Sequence, residues 1–186
     1  MPISGCSKSS PPSSGSAAST PITCTTASCA SSPDYDPGLW NNPPVINSTN
    51  CYAYAANDPD GHPPGKPQPG EHCGNKMTAV TCTDVKKAAI CDGMVAAPNP
   101  PPLRPGYYPV ALVMDPGVDY HWYRLDSNGS WSHKPGNTAA TNVDASGNVI
   151  TNPETADREY DFVNYREFCG YFYVPSASGV VRTGPP

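Results

Sequence analysis

Proline restricts this chain more than any other residue, because 25 of its 186 residues are proline. A proline lacks a backbone donor, so it interrupts helix interiors and central strands. The densest runs are NDPDGHPPGKPQPG at 57–70 and PNPPPLRPGYYP at 98–109. We predict a surface loop for the first, near the mouth of any functional site or forming one wall of a groove. The second is predicted to be a rigid connector.

The segments between these loops predict a small antiparallel sheet. Val110–Met114 is a short apolar run, and Tyr120–Leu125 is an aromatic alternating run that ends in the turn signal DSNG at 126–129. Trp131–His133 follows as a third strand, and the aromatic run Phe168–Val174 is a fourth. Thr78–Val95 is the best helix, with Thr83 as its cap. The predicted fold class is therefore α+β, with one or two helices packed on the sheet.

Composition predicts three regions. Residues 1–38 are rich in Ser, Thr, Ala and Pro and are predicted to be a flexible tether. Residues 39–175 are predicted to form a single domain, and residues 176–186 a frayed tail. Disulfide bonding of Cys24 and Cys29 into an ordered N-terminal arm is the alternative for the first region.

Charge and hydropathy argue against a nucleic-acid partner and against a membrane-spanning segment. The formal net charge is -5 and there is no cluster of Lys or Arg, which argues against nucleic acid. No apolar run approaches the length needed to span a bilayer. We expect a monomer that works without a transmembrane segment.

Eight cysteines in a loop-rich chain indicate an oxidising compartment, so we expect a secreted, periplasmic or cell-surface protein. If all eight pair, Cys51 is structural. If Cys51 is free, one other cysteine is also unpaired, and Cys6 is the natural choice. Cys6 follows small residues, as does the lipid-bearing cysteine of bacterial lipoproteins. Because no C-x-x-C pair occurs, a structural zinc site is not expected.

Cys51 and two histidines form the candidate site. Asn50 and the three residues before it are good N-cap types, which places Cys51 at the start of a short helix. A helix N-terminus or a neighbouring imidazolium lowers the pKa of a thiol and so favours the reactive thiolate. In the hairpin after Tyr120, each residue of one strand lies opposite a residue of the other. If the two residue numbers of such a pair sum to an even number, His121 and His133 share one face of the sheet.

The order of these residues resembles the NlpC/P60-like branch of the papain-like cysteine hydrolases, in which a cysteine at a helix start is followed by a strand histidine and a third polar residue. The segments NCYAYA, DYHWYRLDSNGSWSHKPG and FCGYFYVP also resemble a set of uncharacterised bacterial proteins. The chain departs from NlpC/P60 proteins because it lacks small residues after the strand histidine.

The resemblance implies an amide hydrolase that works through a thioester and without a cofactor or metal. Cys51 would be the nucleophile, His121 the general base and His133 the orienting group. Asp144, Asp157 and Asp161 are alternatives for this third role. The implied substrate is a peptide or peptidoglycan-like chain, and such a hydrolase can also meet a dedicated inhibitor protein. The aromatic residues expected to bind substrate are Tyr52, Trp122, Tyr123 and Trp131.

A non-enzymatic, disulfide-stabilised surface domain is the competing hypothesis. Its binding face for glycan or protein would be aromatic. The residues expected on that face are Tyr107, Tyr108, Tyr120, Trp122, Tyr123 and Trp131. A third hypothesis is a structural module of a larger assembly, with the N-terminal region as its linker.

Overall fold

The computed structural model of this protein describes residues 31–60, 66–177 and 182–185. Most of the predicted tether, including Cys6, Cys24 and Cys29, lies outside these ranges. The predictions for those three cysteines therefore stay predictions.

The described residues form an α+β fold with a small antiparallel sheet, as predicted. The helices are α1 (Pro37–Trp40), α2 (Pro43–Ser48), α3 (Cys51–Ala55) and α4 (Cys82–Cys91). The strands are β1 (Val95–Ala96), β2 (Tyr107–Asp115), β3 (Asp119–Leu125), β4 (Trp131–His133), β5 (Glu159–Tyr160), β6 (Val163–Asn164) and β7 (Glu167–Pro175). The main sheet has the order β1-β7-β2-β3-β4, and β5 pairs with β6 separately. None of the described helices is both long and apolar enough to cross a membrane.

The main sheet is buried on both faces, because each face has its own hydrophobic core. Val110, Leu112 and Trp122 project into a core that also contains buried residues of α3 and α4. Ala111 and Tyr123 project into a second core with the chain that follows β4. A strand that is buried on both faces has no solvent-facing side, so its residues need not alternate between apolar and polar. The packing of α3 on the sheet places the start of α3 next to the start of β3.

Helix α4 begins at Cys82 and is capped by Thr81, whose hydroxyl accepts from the backbone N–H of Asp84. The prediction of a helix from residue 78 with Thr83 as cap was therefore wrong. Asp84 is the reason, since its carboxylate accepts the N–H groups of Thr78 and Ala79 and holds them outside the helix. The helix packs its buried face on the sheet, as predicted, through Val85, Ala88 and Ala89.

Two disulfides fasten α4 to its surroundings. Cys73–Cys91 joins the end of α4 to the preceding loop, and Cys82–Cys169 joins its start to β7. Among the described cysteines only Cys51 is unpaired.

The described parts of the two end segments pack on the domain. The Arg124 guanidinium donates to the Asp34 carbonyl, which lies in the region predicted to be a tether. Thr183 is fully buried, and both its backbone N–H and its hydroxyl donate to Asp58. Thr183 is therefore held against the domain, while the prediction of a frayed tail over residues 176–186 stays a prediction. The predicted domain boundaries stay predictions.

Candidate active site

Cys51 is the first residue of α3. Its helix is capped by Asn50, whose side-chain oxygen accepts the backbone N–H groups of Tyr52 and Ala53 at 3.1 Å each. The amide nitrogen of Asn50 donates to the Pro67 carbonyl at 2.7 Å and so ties the helix start to the first proline-rich loop. The thiol is 7% exposed, and its sulfur lies 3.9 Å from the Tyr120 carbonyl oxygen. The cap thus holds a nearly buried thiol beside the start of β3.

His121 and His133 meet across the β3–β4 hairpin. Tyr123 lies opposite His133 in the register, so paired positions sum to an even number and both histidines are on one face. His121 Nε2 lies 2.8 Å from His133 Nδ1. The sheet therefore produces the contact that the even register predicts, while the catalytic roles stay predictions.

A backbone carbonyl determines which nitrogens of this pair carry protons. His133 Nε2 lies 3.0 Å from the Val143 carbonyl oxygen, which can only accept, so Nε2 of neutral His133 carries the hydrogen. His133 Nδ1 is then an acceptor, and His121 Nε2 must be the donor to it. Within residues 31–60, 66–177 and 182–185 nothing bonds to His121 Nδ1. Its lone pair is left to act as a base.

Burial keeps both imidazoles neutral. It lowers the pKa of His121 well below the ordinary 6.5, with the neighbouring His133 as the second cause. Burial also lowers the pKa of His133 to about 4, against the opposing effects of the Val143 carbonyl and Asp144. The pair is thus uncharged at neutral pH.

Acidification is expected to destabilise the fold through this pair. As pH falls below 6.5, the histidines of the unfolded chain bind protons that the folded chain excludes. The free energy of unfolding therefore decreases until the pH reaches the pKa of His133 in the folded state. For His133 the loss is about 3 kcal/mol between pH 7 and pH 4. Urea unfolding followed by tryptophan fluorescence at several pH values measures it.

The variant His133→Asn should show a shallower pH dependence over that interval. The matched control is His72→Asn, which removes a half-buried histidine far from the pair along the chain and should keep the dependence of the parent. A parent-like slope in His133→Asn would contradict the proton uptake assigned to His133.

The electrostatics of Cys51 oppose those of an activated thiolate. Its pKa is raised to about 12, mainly by burial and secondly by the Asp119 carboxylate, against the lowering effect of nearby backbone N–H groups. The resting cavity is therefore lined by a neutral thiol and a neutral imidazole. Any reaction must transfer the thiol proton as the sulfur attacks, not before.

A cavity of about 350 Å³ opens onto this site. Its wall includes Cys51 and His121 from the predicted site. It also includes Tyr120, which the sequence predicted for the aromatic binding face of the competing hypothesis. The other lining residues were not singled out as site residues, namely Asn50, Lys66, Gln68, Asp119, Pro135, Gly136 and Tyr165. The turn signals around Lys66 and Gln68 allowed a groove wall there, whereas no local pattern marks Tyr165. The ring of Tyr165 stacks on His121 at 5.2 Å between centroids.

The aromatic residues predicted to bind substrate are instead part of the cores. Tyr52, Trp122 and Tyr123 are 0% exposed and Trp131 is 1% exposed, so none presents a surface to a ligand. Of the residues on the aromatic face of the competing hypothesis only Tyr107 is not buried, while the buried Tyr120 lines the cavity. The sequence predicted these rings to bind a ligand, but the sheet is covered on both sides by the two cores.

The residue in the place of the orienting group beside His121 is His133 and not a carboxylate. Asp144 accepts from backbone N–H groups of its own loop, at Ser146 and Asn148, and Asp157 accepts from Ser146 and Glu159. Asp161 is exposed in the β5–β6 turn. The alternatives for the orienting role are therefore not supported by the geometry.

One group of side chains has a spacing that suits a metal ion, namely Cys82, Glu167 and Cys169. Both of its cysteines are joined in the disulfide, so their sulfurs are not thiolate ligands.

Fold and site together define a disulfide-stabilised α+β domain with a buried cysteine–histidine site at a cavity. The chain is similar to insoluble matrix shell protein 1 from Ruditapes philippinarum, with 39% identity over 140 residues that cover 75% of this chain and 88% of that protein. The chain belongs to the family of that protein. No known family pattern and no solved structure matches it, so the likeness to NlpC/P60 hydrolases stays an expectation from the sequence.

Proposed function

We propose that this protein is an extracellular, disulfide-stabilised component of a protein matrix. The observation that carries the proposal is its relationship, over most of both chains, to a protein named as part of an insoluble shell matrix. The two disulfides support it, because such bonds persist in oxidising, extracellular environments. A structural module of a larger assembly, one of the hypotheses from the sequence, fits this role.

Fractionation of a culture or tissue that produces the protein tests this proposal. An antibody against the protein is applied to cells, to the surrounding medium and to insoluble extracellular material. We expect the protein in the insoluble extracellular fraction. Detection inside cells alone would contradict the proposal.

A second function is supported by the arrangement at the cavity, whose lining includes a free thiol and a base with an available lone pair. We infer that this site carries out papain-like cysteine chemistry on an amide bond. Cys51 attacks the carbonyl carbon, and its proton passes to Nδ1 of His121. His133 holds the imidazole of His121 in the required tautomer. The released amine takes the proton from His121, and the thioester remains on Cys51.

Alkylation with iodoacetamide under native conditions, followed by peptide mass spectrometry, tests this second function. We expect Cys51 to be labelled, because its sulfur lies at a cavity that is open to solvent. The rate should fall several-fold in His121→Ala, since the base that accepts the thiol proton is lost. His72→Ala is the matched control and should label at the parent rate. Complete resistance of Cys51 to labelling in the folded protein would contradict the proposed chemistry.

The matrix role and the cysteine chemistry are compatible, since they concern the location of the protein and the reaction at one of its cavities. The substrate suggested by the resemblance, a peptide or peptidoglycan-like chain, belongs to this second function only.

A further inference from the structure

Asp119 places a carboxylate in the wall of the cavity that holds Cys51. Its Oδ1 accepts the backbone N–H of Tyr120, and its Oδ2 accepts the hydroxyl of Tyr165, each at 2.8 Å. These bonds orient the carboxylate, yet the residue stays exposed to solvent. No Lys, Arg or His of the described ranges forms a salt bridge with it. The cavity therefore contains an oriented carboxylate that forms no salt bridge with the described residues, and Lys66 also lines this cavity.

Without a positive group to offset it, the charge of Asp119 is unfavourable for a reaction in which Cys51 becomes a thiolate. A carboxylate beside Cys51 disfavours the thiolate, and Asp119 adds to burial in raising the pKa of that thiol. A positive group brought in by a substrate and seated at Asp119 would offset this effect. The Asp119 carboxylate therefore suits a substrate that carries an ammonium group.

An amine bound in the cavity competes with water for an acylated thiol through its nearness to the sulfur. Cys51 is 7% exposed and His121 is 2% exposed, and both line this cavity. An amine held at Asp119 lies in the same cavity, and holding two reactants together raises their effective concentration far above that of free solutes.

We propose that the cavity binds a primary amine at Asp119 and that this amine is the acyl acceptor, so that the site catalyses transamidation. The proposal rests on the cysteine chemistry proposed above and names its second substrate. The chemical class of that substrate is an alkylammonium group such as the side chain of a lysine in a polypeptide.

The reaction balances without any further reactant. The sulfur of Cys51 forms a bond to the carbonyl carbon of the donor amide, the carbon–nitrogen bond breaks, and the leaving amine departs with the proton held by His121. The seated amine, after giving up its ammonium proton to solvent, then attacks the thioester. A new amide bond forms and the carbon–sulfur bond breaks. One of the two protons of the amine passes through His121 to the departing sulfur, and the other stays on the amide nitrogen. Donor amide and amine become a new amide and a released amine or ammonia.

Such a reaction would join polypeptides covalently, which is one chemical route to an insoluble protein matrix. This outcome agrees with the name of the relative, which describes a protein of an insoluble matrix.

The first test measures amine binding without any turnover. The rate of Cys51 alkylation by iodoacetamide is measured with and without cadaverine at constant ionic strength. We expect cadaverine to raise the rate about threefold, equivalent to half a unit in the pKa of the thiol. In Asp119→Asn the basal rate should already be raised and cadaverine should have no effect. The matched control is Asp161→Asn, an exposed carboxylate outside the cavity lining, which should respond like the parent.

The second test measures the reaction. Dimethylcasein supplies amides, monodansylcadaverine supplies the amine, and the readouts are fluorescence incorporated into protein, released ammonia and chain cleavage. We expect incorporation by the parent and by Asp161→Asn, none by Cys51→Ala, and a loss of at least about tenfold in Asp119→Asn at low amine concentration. Circular dichroism checks that each variant is folded.

The outcomes separate the two proposals. Cleavage or ammonia release without incorporation of the amine would overturn transamidation and leave a cysteine hydrolase. A rate of alkylation that cadaverine does not change in the parent would overturn the amine site at Asp119. Absence of any labelling of Cys51 would overturn the cysteine chemistry and, with it, this inference.

Discussion

Replacing Arg124 with leucine is expected to lower the free energy of unfolding by about 4 kcal/mol. Arg124 is 0% exposed, and its Nε donates to the Asp126 carboxylate at 2.9 Å. Its other nitrogens donate to Asn57, to the carbonyl of Asp34 and to both the carbonyl and the hydroxyl of Tyr54. The substitution leaves Asp126 as a buried charge without its counterion and several oxygens without their donor. Urea unfolding at pH 7 measures the loss.

The control for this prediction is Arg104→Leu, at an exposed arginine whose guanidinium lies over the ring of Tyr107. It should change stability by less than about 1 kcal/mol. The double variant Arg124→Leu with Asp126→Leu should recover part of the loss, because it removes the unpaired carboxylate as well. Equal losses at Arg104 and Arg124 would contradict the importance assigned to the buried pair.

Replacing Lys134 with methionine is expected to destabilise the protein by about 3 kcal/mol. Lys134 is fully buried, and its Nζ donates to the carbonyls of Ile46, Thr49 and Gly136 at 2.7 to 3.0 Å. Burial lowers its pKa to about 8, so at pH 7 the ammonium still has three hydrogens for its three acceptors. Methionine preserves the apolar stem but leaves three carbonyl oxygens without a donor.

The matched control is Lys87→Met, an exposed lysine of α4, which should alter stability by less than about 0.5 kcal/mol. Thermal and urea unfolding of both variants at pH 7 provide the comparison. A Lys134 variant as stable as the Lys87 variant would show that the three carbonyls find other partners.

Lys134 also connects the two sides of the candidate site. The Thr49 carbonyl precedes the cap of the helix that carries Cys51, and Gly136 lines the cavity. One ammonium therefore holds the helix start against the chain that follows the His133 strand. We expect the alkylation rate of Cys51 to change in the Lys134 variant and to stay unchanged in the Lys87 variant.

The burial of the aromatic side chains of β3 could not be predicted from the local sequence pattern. Trp122 and Tyr123 alternate along the strand, and alternation predicts that one of two neighbouring side chains faces water. Both are 0% exposed, because Trp122 enters the core with α3 and α4 while Tyr123 enters the core beneath the chain after β4. Coverage of the second face depends on segments distant in sequence, so no window around β3 could indicate it.

The sequence by itself determined the α+β class and the strands of the hairpin, and it offered a shared face for His121 and His133 on the condition of an even register. These are local properties, because proline and turn residues interrupt the chain and side chains alternate with a period of two. Only the tertiary structure decided that Cys51 is unpaired, that the Val143 carbonyl selects the tautomer of the histidine pair, and that Asp119 shares a cavity with the thiol. Each of these depends on contacts between segments far apart in the chain, and such contacts form only when the cores on both faces of the sheet close.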